Sequence, residues 1–269
     1  MAILALNSAS TGLSALSTSL DVIANNLANA NTDGFKASRA NFQDLLYAEK
    51  AQPGTENSLG DKRPTGLYVG LGTQISGTQI DFSQGPARAT DQPLDLMIEG
   101  NGFFQVQVDD DTGEGIAYTR AGNFTKNQDG EIVLITDQGR RLIPNITVPE
   151  NATGITISTD GVVSVTIPGQ NQPQQLGTIQ LATFINPTGL RNIGENLYVP
   201  SAASGDPIVG DPQQGGRGSI QQGFLEGSNV DPVVELVNLI KTQRAFELNS
   251  QSIQAADEAL QTIGRLRRF

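Results

Sequence analysis

Asp109, Asp110, Asp111 and Glu114 form the densest run of carboxylates in the chain, and carboxylates at short spacing are the usual ligands of calcium. The run lacks the alternating ligand positions of an EF-hand loop and its closing Glu. With Gly113 and Gly115 beside it, it reads as an exposed hairpin tip. Gly100-Asn101-Gly102 opens like a dinucleotide fingerprint, yet Gln105 stands where the third glycine belongs, and a strand pattern follows where a helix should. An acidic, strand-rich chain could also be a cell-wall polysaccharide hydrolase, which needs two carboxylates about 5 to 10 Å apart. Among 28 Asp and Glu no spacing singles out such a pair. There is no His, no Cys and no Trp, which removes thiol nucleophiles, Ser-His triads, disulfides and nearly all zinc and haem ligation. The residues therefore point to no catalytic group, no metal ligand, no cofactor and no small-molecule substrate.

The charge argues about partners instead. Seventeen Lys and Arg against 28 Asp and Glu leave a net charge of −11, the wrong sign for a nucleic-acid binder. Nearly all of it lies in the middle: residues 51–230 hold nineteen acids and nine bases, while the two ends are close to balanced. The N-terminus, Met1-Ala2-Ile3-Leu4-Ala5-Leu6-Asn7-Ser8, has neither the basic region nor the long apolar run of a cleaved signal peptide, and no stretch is apolar enough to span a membrane. A soluble chain that carries no cleaved signal is expected.

Gly and Pro punctuate residues 53–230 densely and are almost absent from 13–34 and 233–263, a pattern of helix, long non-helical middle, helix. Leu6, Ala9, Leu13, Leu16, Leu20, Ile23, Leu27 and Ala30 follow alternating spacings of three and four, the a/d seam of a helix that packs on another helix. Asn25, Asn26, Asn29 and Asn31 sit in or beside that seam and lower its intrinsic helix propensity, so the helix is expected to order on assembly. Gly34 is the expected stop, in the left-handed conformation. At the other end Asp231-Pro232 reads as a cap with proline at the first helical position. Leu239, Phe246, Ile253 and Leu260 then recur every seven residues, joined by Ala256 and Ile263, and form a second seam. The closing Arg265, Arg267 and Arg268 suit a helix C-terminus.

Between the helices, alternation over 103–108, 131–135, 155–157, 162–167 and 178–184 predicts strands. Asp129-Gly130, Gln138-Gly139, Asp160-Gly161 and Pro168-Gly169 predict the turns between them. Residues 47–64 hold Tyr47, Pro53, Gly54, Gly60 and Pro64, too many breakers for a helix, and charges of both signs. Fully extended, that segment would reach up to about 60 Å, enough to brace a neighbouring copy of the chain. The expected fold class is α+β: N- and C-terminal α-helices packing as a coiled-coil-like pair, with an antiparallel all-β middle domain. Its expected divisions are an N-terminal assembly helix over 1–34, a helical extension and bracing segment over 35–75, a β domain over 76–230 and a C-terminal assembly helix over 231–269.

Three segments resemble one known family. Asp21-Val22-Ile23-Ala24-Asn25-Asn26-Leu27-Ala28-Asn29-Ala30-Asn31-Thr32-Asp33-Gly34-Phe35-Lys36 is similar to the N-terminal signature of bacterial flagellar basal-body rod and hook proteins. Gly100-Asn101-Gly102-Phe103-Phe104-Gln105-Val106 and Tyr118-Thr119-Arg120-Ala121-Gly122-Asn123-Phe124 resemble the family's central region. Gly227-Ser228-Asn229-Val230-Asp231, with Gln243-Arg244-Ala245-Phe246-Glu247, resembles its C-terminal signature. Length, the stretch from Phe42 to Gly54 and Gly194-Glu195-Asn196-Leu197-Tyr198 resemble the distal-rod branch rather than the longer hook, with a proximal rod or hook subunit of the same family as the alternative.

The resemblance implies a structural, non-enzymatic subunit, exported through the flagellar type III apparatus without a cleaved signal. It implies helical self-assembly into a hollow drive shaft of the basal body, crossing from periplasm to outer membrane and passing torque to the hook. The implied partners are copies of the chain, proximal rod proteins, hook protein, P-ring and L-ring proteins and the rod cap. The helical seams would line the tube, and the acidic middle would form an outer surface that does not stick to the rings.

Overall fold

The computed structural model describes residues 2–56, 61–109, 115–169 and 172–266. The chain divides into two compact units, one made of 1–28, 38–80 and 231–269 and the other of 29–37 and 81–230. The first contains both long helices, α1 (Ala2–Ala28) and α2 (Pro232–Leu266). The start of α2 is built as its sequence dictates. Asp231 Oδ1 accepts the backbone N–H groups of Val233 and Val234 at 2.9 and 3.2 Å, and Pro232 fills the first position, where no N–H is needed.

The helices pack against each other. Gly12 abuts the side chain of Asn249, and Asn26 Nδ2 donates to Glu235 Oε1 at 3.4 Å. An advance of fourteen residues along α1 is matched by fourteen backwards along α2, so the pair runs antiparallel. Four strands complete the unit: β1 (Ser38–Asp44), β2 (Tyr47–Ala51), β3 (Leu67–Gly70) and β4 (Thr73–Ile80). β1 pairs antiparallel with β4 and β2 with β3. The helical extension expected within 35–75 is therefore corrected to β-structure. Phe42, Leu45 and Leu46 have helical spacing, but Phe42 and Leu46 are exposed and offer no buried stripe that a helix could use.

The second unit carries β5 (Ala87–Ala89), β6 (Leu96–Glu99), β7 (Phe104–Gln107), β8 (Ile116–Thr119), β9 (Phe124–Lys126), β10 (Ile132–Leu134), β11 (Leu142–Ile143) and β12 (Gly154–Ile157). It continues through β13 (Val162–Thr166), β14 (Gln174–Thr178), β15 (Leu181–Thr183), β16 (Arg191–Gly194), β17 (Leu197–Val199), β18 (Ile208–Gly210), β19 (Ser219–Gln222) and β20 (Phe224–Glu226). The largest sheet runs β11-β7-β8-β17-β16, a second runs β12-β13-β14, and the described pairings are antiparallel. Leu96, Ile98, Phe104, Val106, Ile132, Val163, Ile179 and Leu181 fill one continuous core. The four turn glycines, 130, 139, 161 and 169, have positive φ, which closes their turns without a Cβ clash. Residues 110–114 of the acidic run lie outside the described residues, as do Arg267 and Arg268.

Candidate functional site: helix faces, a hairpin and a buried junction

The expected seam of α1 is not its most buried face. Of its members Ile23 is buried, on one face with Gly12, Ala15 and Asn26, whereas Leu6, Leu13, Leu16, Leu20 and Leu27 are half-buried and lie beside that face. Small side chains let the helix approach its neighbours closely. Thr11 Oγ1 accepts the Thr73 N–H at 3.3 Å, and Ser8 Oγ donates to Gly70 O at 3.4 Å, so the polar positions of α1 bind the strands of its own unit. On α2 the expected residues do share a face: Leu239, Phe246, Ile253 and Leu260 are half-buried in one stripe with Thr242, Asn249 and Ala256. The side chain of Ile263 lies outside the described residues.

A second apolar stripe on α2 was missed. Val233, Val237, Ile240 and Leu248 are 71, 44, 50 and 63% exposed. At 3.6 residues per turn they centre about half a turn from the Leu239 stripe. The periodicity that could reveal them was present, but the longer heptad at 239, 246, 253 and 260 masked it.

The asparagines of the N-terminal motif have unequal tasks. Asn26 is 2% exposed and spans the gap to β1: its Oδ1 accepts the Ser38 N–H at 2.9 Å, and its Nδ2 donates to Ser38 O at 2.7 Å. Asn25 and Asn31 are exposed, and Asn29 Oδ1 accepts the Thr32 hydroxyl at 3.1 Å. Gly34 does not stop the helix, which ends at Ala28. With φ of 72° it lies against the backbone of Arg120 and Ala121, where any Cβ would collide. Phe35, beside it, is buried.

The bracing segment is a hairpin. Tyr47 opens β2 opposite Gly70, and Pro53-Gly54 leads into a crossing where Gly54 N donates to Arg63 O at 2.8 Å and Arg63 N to Thr55 O at 2.9 Å. Lys62 and Glu56 face each other at 3.7 Å, Pro64 is exposed, and residues 57–60 lie outside the described residues. Doubling back corrects the expected reach of about 60 Å to no more than roughly half of it, since the chain returns along itself. The base of the hairpin exposes Leu46, Tyr47, Leu67 and Tyr68.

A feature that no spacing announced lies in the β unit. The Lys36 ammonium meets Glu226 Oε1 at 2.5 Å, and Arg120 Nη1 lies 3.5 Å from Glu226 Oε2. The side chains of Lys36 and Glu226 are fully buried and that of Arg120 nearly so. Burial pushes Lys36 and Arg120 below their ordinary values, against the pull of Glu226. Burial also pushes the Tyr198 phenol up. Nearby, Asn229 Oδ1 accepts the Ala37 N–H at 2.7 Å and its Nδ2 donates to Asp81 O at 2.8 Å.

These features coincide with matched families. Residues 6–36 match the family described as flagella basal body rod protein, and residues 97–165 the D1 domain of the flagellar hook protein FlgE/F/G. Residues 221–266 match the C-terminal region of the flagellar basal body rod FlgEFG proteins. The chain is 46% identical to the flagellar basal-body rod protein FlgG of Caulobacter vibrioides over 264 residues, covering 98% of this chain and 99% of the relative. Against FlgG of Buchnera aphidicola from Schizaphis graminum it is 46% identical, covering 95% and 96%. The rod protein FlgF of Caulobacter vibrioides is 33% identical over 92% of each chain, which separates the FlgG branch from its neighbour within one organism. The chain therefore belongs to the flagellar basal-body rod protein family, alongside its FlgG members, as a structural subunit of the distal rod.

Proposed function

We propose that the subunit polymerises helically with copies of itself into the hollow shaft that carries torque to the hook, and that the outward stripe of α2 is a principal contact between copies. The observation that carries this reading is the opposition of two apolar faces on one helix. The Leu239 stripe is occupied by α1, so Val233, Val237, Ile240 and Leu248 are free to bury against another subunit. The half-buried leucines of α1, Leu6, Leu13, Leu16, Leu20 and Leu27, supply a second contact of the same kind.

The hairpin from Tyr47 to Gly70 braces neighbouring subunits, with Tyr47 and Tyr68 as its anchors and mixed charges at its rim. Proximal rod proteins and hook protein meet the two ends of the shaft, and the rod cap attends its growing tip. The P-ring and L-ring proteins surround it between periplasm and outer membrane, facing the acidic β unit. Export through the flagellar type III apparatus proceeds without a cleaved signal and delivers the chain unfolded.

Electron microscopy of purified subunits induced to polymerise tests the reading. Wild type should give tubes and Ile240→Asp none, because a lone carboxylate in an apolar contact is an uncompensated buried charge. Tubes of normal length from the variant would refute it.

A further inference from the structure

Glu226 is separated from Lys36 by 190 residues and from Arg120 by 106. Each cation is also held by segments that precede Glu226. Lys36 Nζ donates to Ser83 O at 2.7 Å, and Arg120 Nη2 donates to Gly100 O at 2.7 Å, with Nη1 directed at Ile98 O at 3.4 Å. The Arg120 guanidinium also stacks 5.5 Å from the centre of the Phe103 ring. Glu226 itself arrives on β20, a three-residue strand paired with β5. There its Oε1 takes the Gly85 N–H at 2.9 Å and its backbone carbonyl takes the Gly34 N–H at 2.7 Å. The two cations can thus be positioned by carbonyls of the earlier chain, but the carboxylate that contacts both comes from Glu226, in the matched C-terminal region.

We propose that Glu226 is a late-closing latch of the β unit, seating between Lys36 and Arg120 only after the earlier segments that hold those cations are in place. Two physical terms set this order. Closing a loop of 190 residues costs chain entropy that is recovered only once the intervening strands are in place. A buried ion cluster, moreover, repays its desolvation only when every partner is in position, so a half-formed cluster contributes little or is unfavourable. A chain that ends before Glu226 would hold two buried cations on backbone carbonyls without the one carboxylate that contacts both, and its β unit stays open. For a subunit exported unfolded, which rests on the function proposed above, this delays native closure of the β unit until its last strand, β20, is present. The latch itself does not depend on that reading.

Folding kinetics of the full-length chain decide it. Refolding and unfolding jumps in denaturant, read by pulsed hydrogen exchange on peptides from β7 and β8, report the β unit alone. Glu226→Gln keeps the shape and the acceptor for Gly85. It should unfold at least about tenfold faster while refolding at a rate within about twofold of wild type, the signature of an interaction made after the transition state. Slowed refolding with unchanged unfolding would place Glu226 in the folding nucleus and overturn the proposal, as would no change in either rate. If Glu226→Gln fails to fold, Lys36→Met is read on the same two limbs with the same criteria. The double variant Lys36→Met/Glu226→Gln buries one fewer unpaired cation and should unfold more slowly than Glu226→Gln or recover folding. Failure to do either also overturns the latch.

Discussion

At the scale of single residues, the side chains that matter most here are polar and buried. Asn26 ties the end of α1 to Ser38 through two hydrogen bonds, and Asn26→Ala leaves both backbone groups short of a partner. We expect it to lower the stability of the helical unit by about 1–3 kcal/mol, measured by chemical denaturation with hydrogen exchange on α1 peptides. Glu131 gives a pH prediction. Hydrogen bonds from Asn145 and Asn127, and then Arg141, hold its carboxyl below its ordinary value of 4.5. The unfolded chain thus binds that proton more readily, so the stabilisation is complete above pH 4.5 and is lost as pH falls through the lower, folded value. Acid titration of thermal unfolding should therefore be shallower below that pH in Glu131→Gln than in wild type. The importance of Asn26, Lys36 and Glu226 was not legible beforehand. Many asparagines and acids have equivalent local surroundings, and a partner 190 positions away leaves no trace in spacing.

At the scale of elements, hydrophobic periodicity exposed what is apolar and hid what is small. The heptad of α2 could be read because Leu239, Phe246, Ile253 and Leu260 are large. The buried face of α1 could not, because Gly12, Ala15 and Asn26 do not look like a core. The β strands and their glycine turns were legible through alternation, whereas β1 falls in the stretch expected as a helical extension, and its one large apolar residue, Phe42, is exposed. On the contact proposed above, the two faces of α2 would separate stability from assembly. Phe246→Asp puts a charge against α1 and should destabilise the helical unit by roughly 1–3 kcal/mol. Ile240→Asp, on the exposed face, should change stability by no more than about 0.5 kcal/mol. Denaturation midpoints of the two monomeric variants check the contrast, and equal losses would mean that the faces are not distinct.

At the scale of the whole molecule, the chain joins an acidic β unit to a helical unit that displays unpartnered apolar surface. Deleting residues 52–64 should leave polymerisation intact and yield bendable tubes, visible as curvature in electron micrographs, if the hairpin braces adjacent copies. Whether copies meet on the outward stripe of α2 can be read from burial at Ile240 itself. The native chain has no cysteine, so Ile240→Cys places a single thiol on that stripe. Its rate of maleimide labelling should be fast in the monomer and at least about tenfold slower in tubes, as solvent access is lost on packing. Equal labelling rates in monomer and tube would mean that copies do not meet on this stripe.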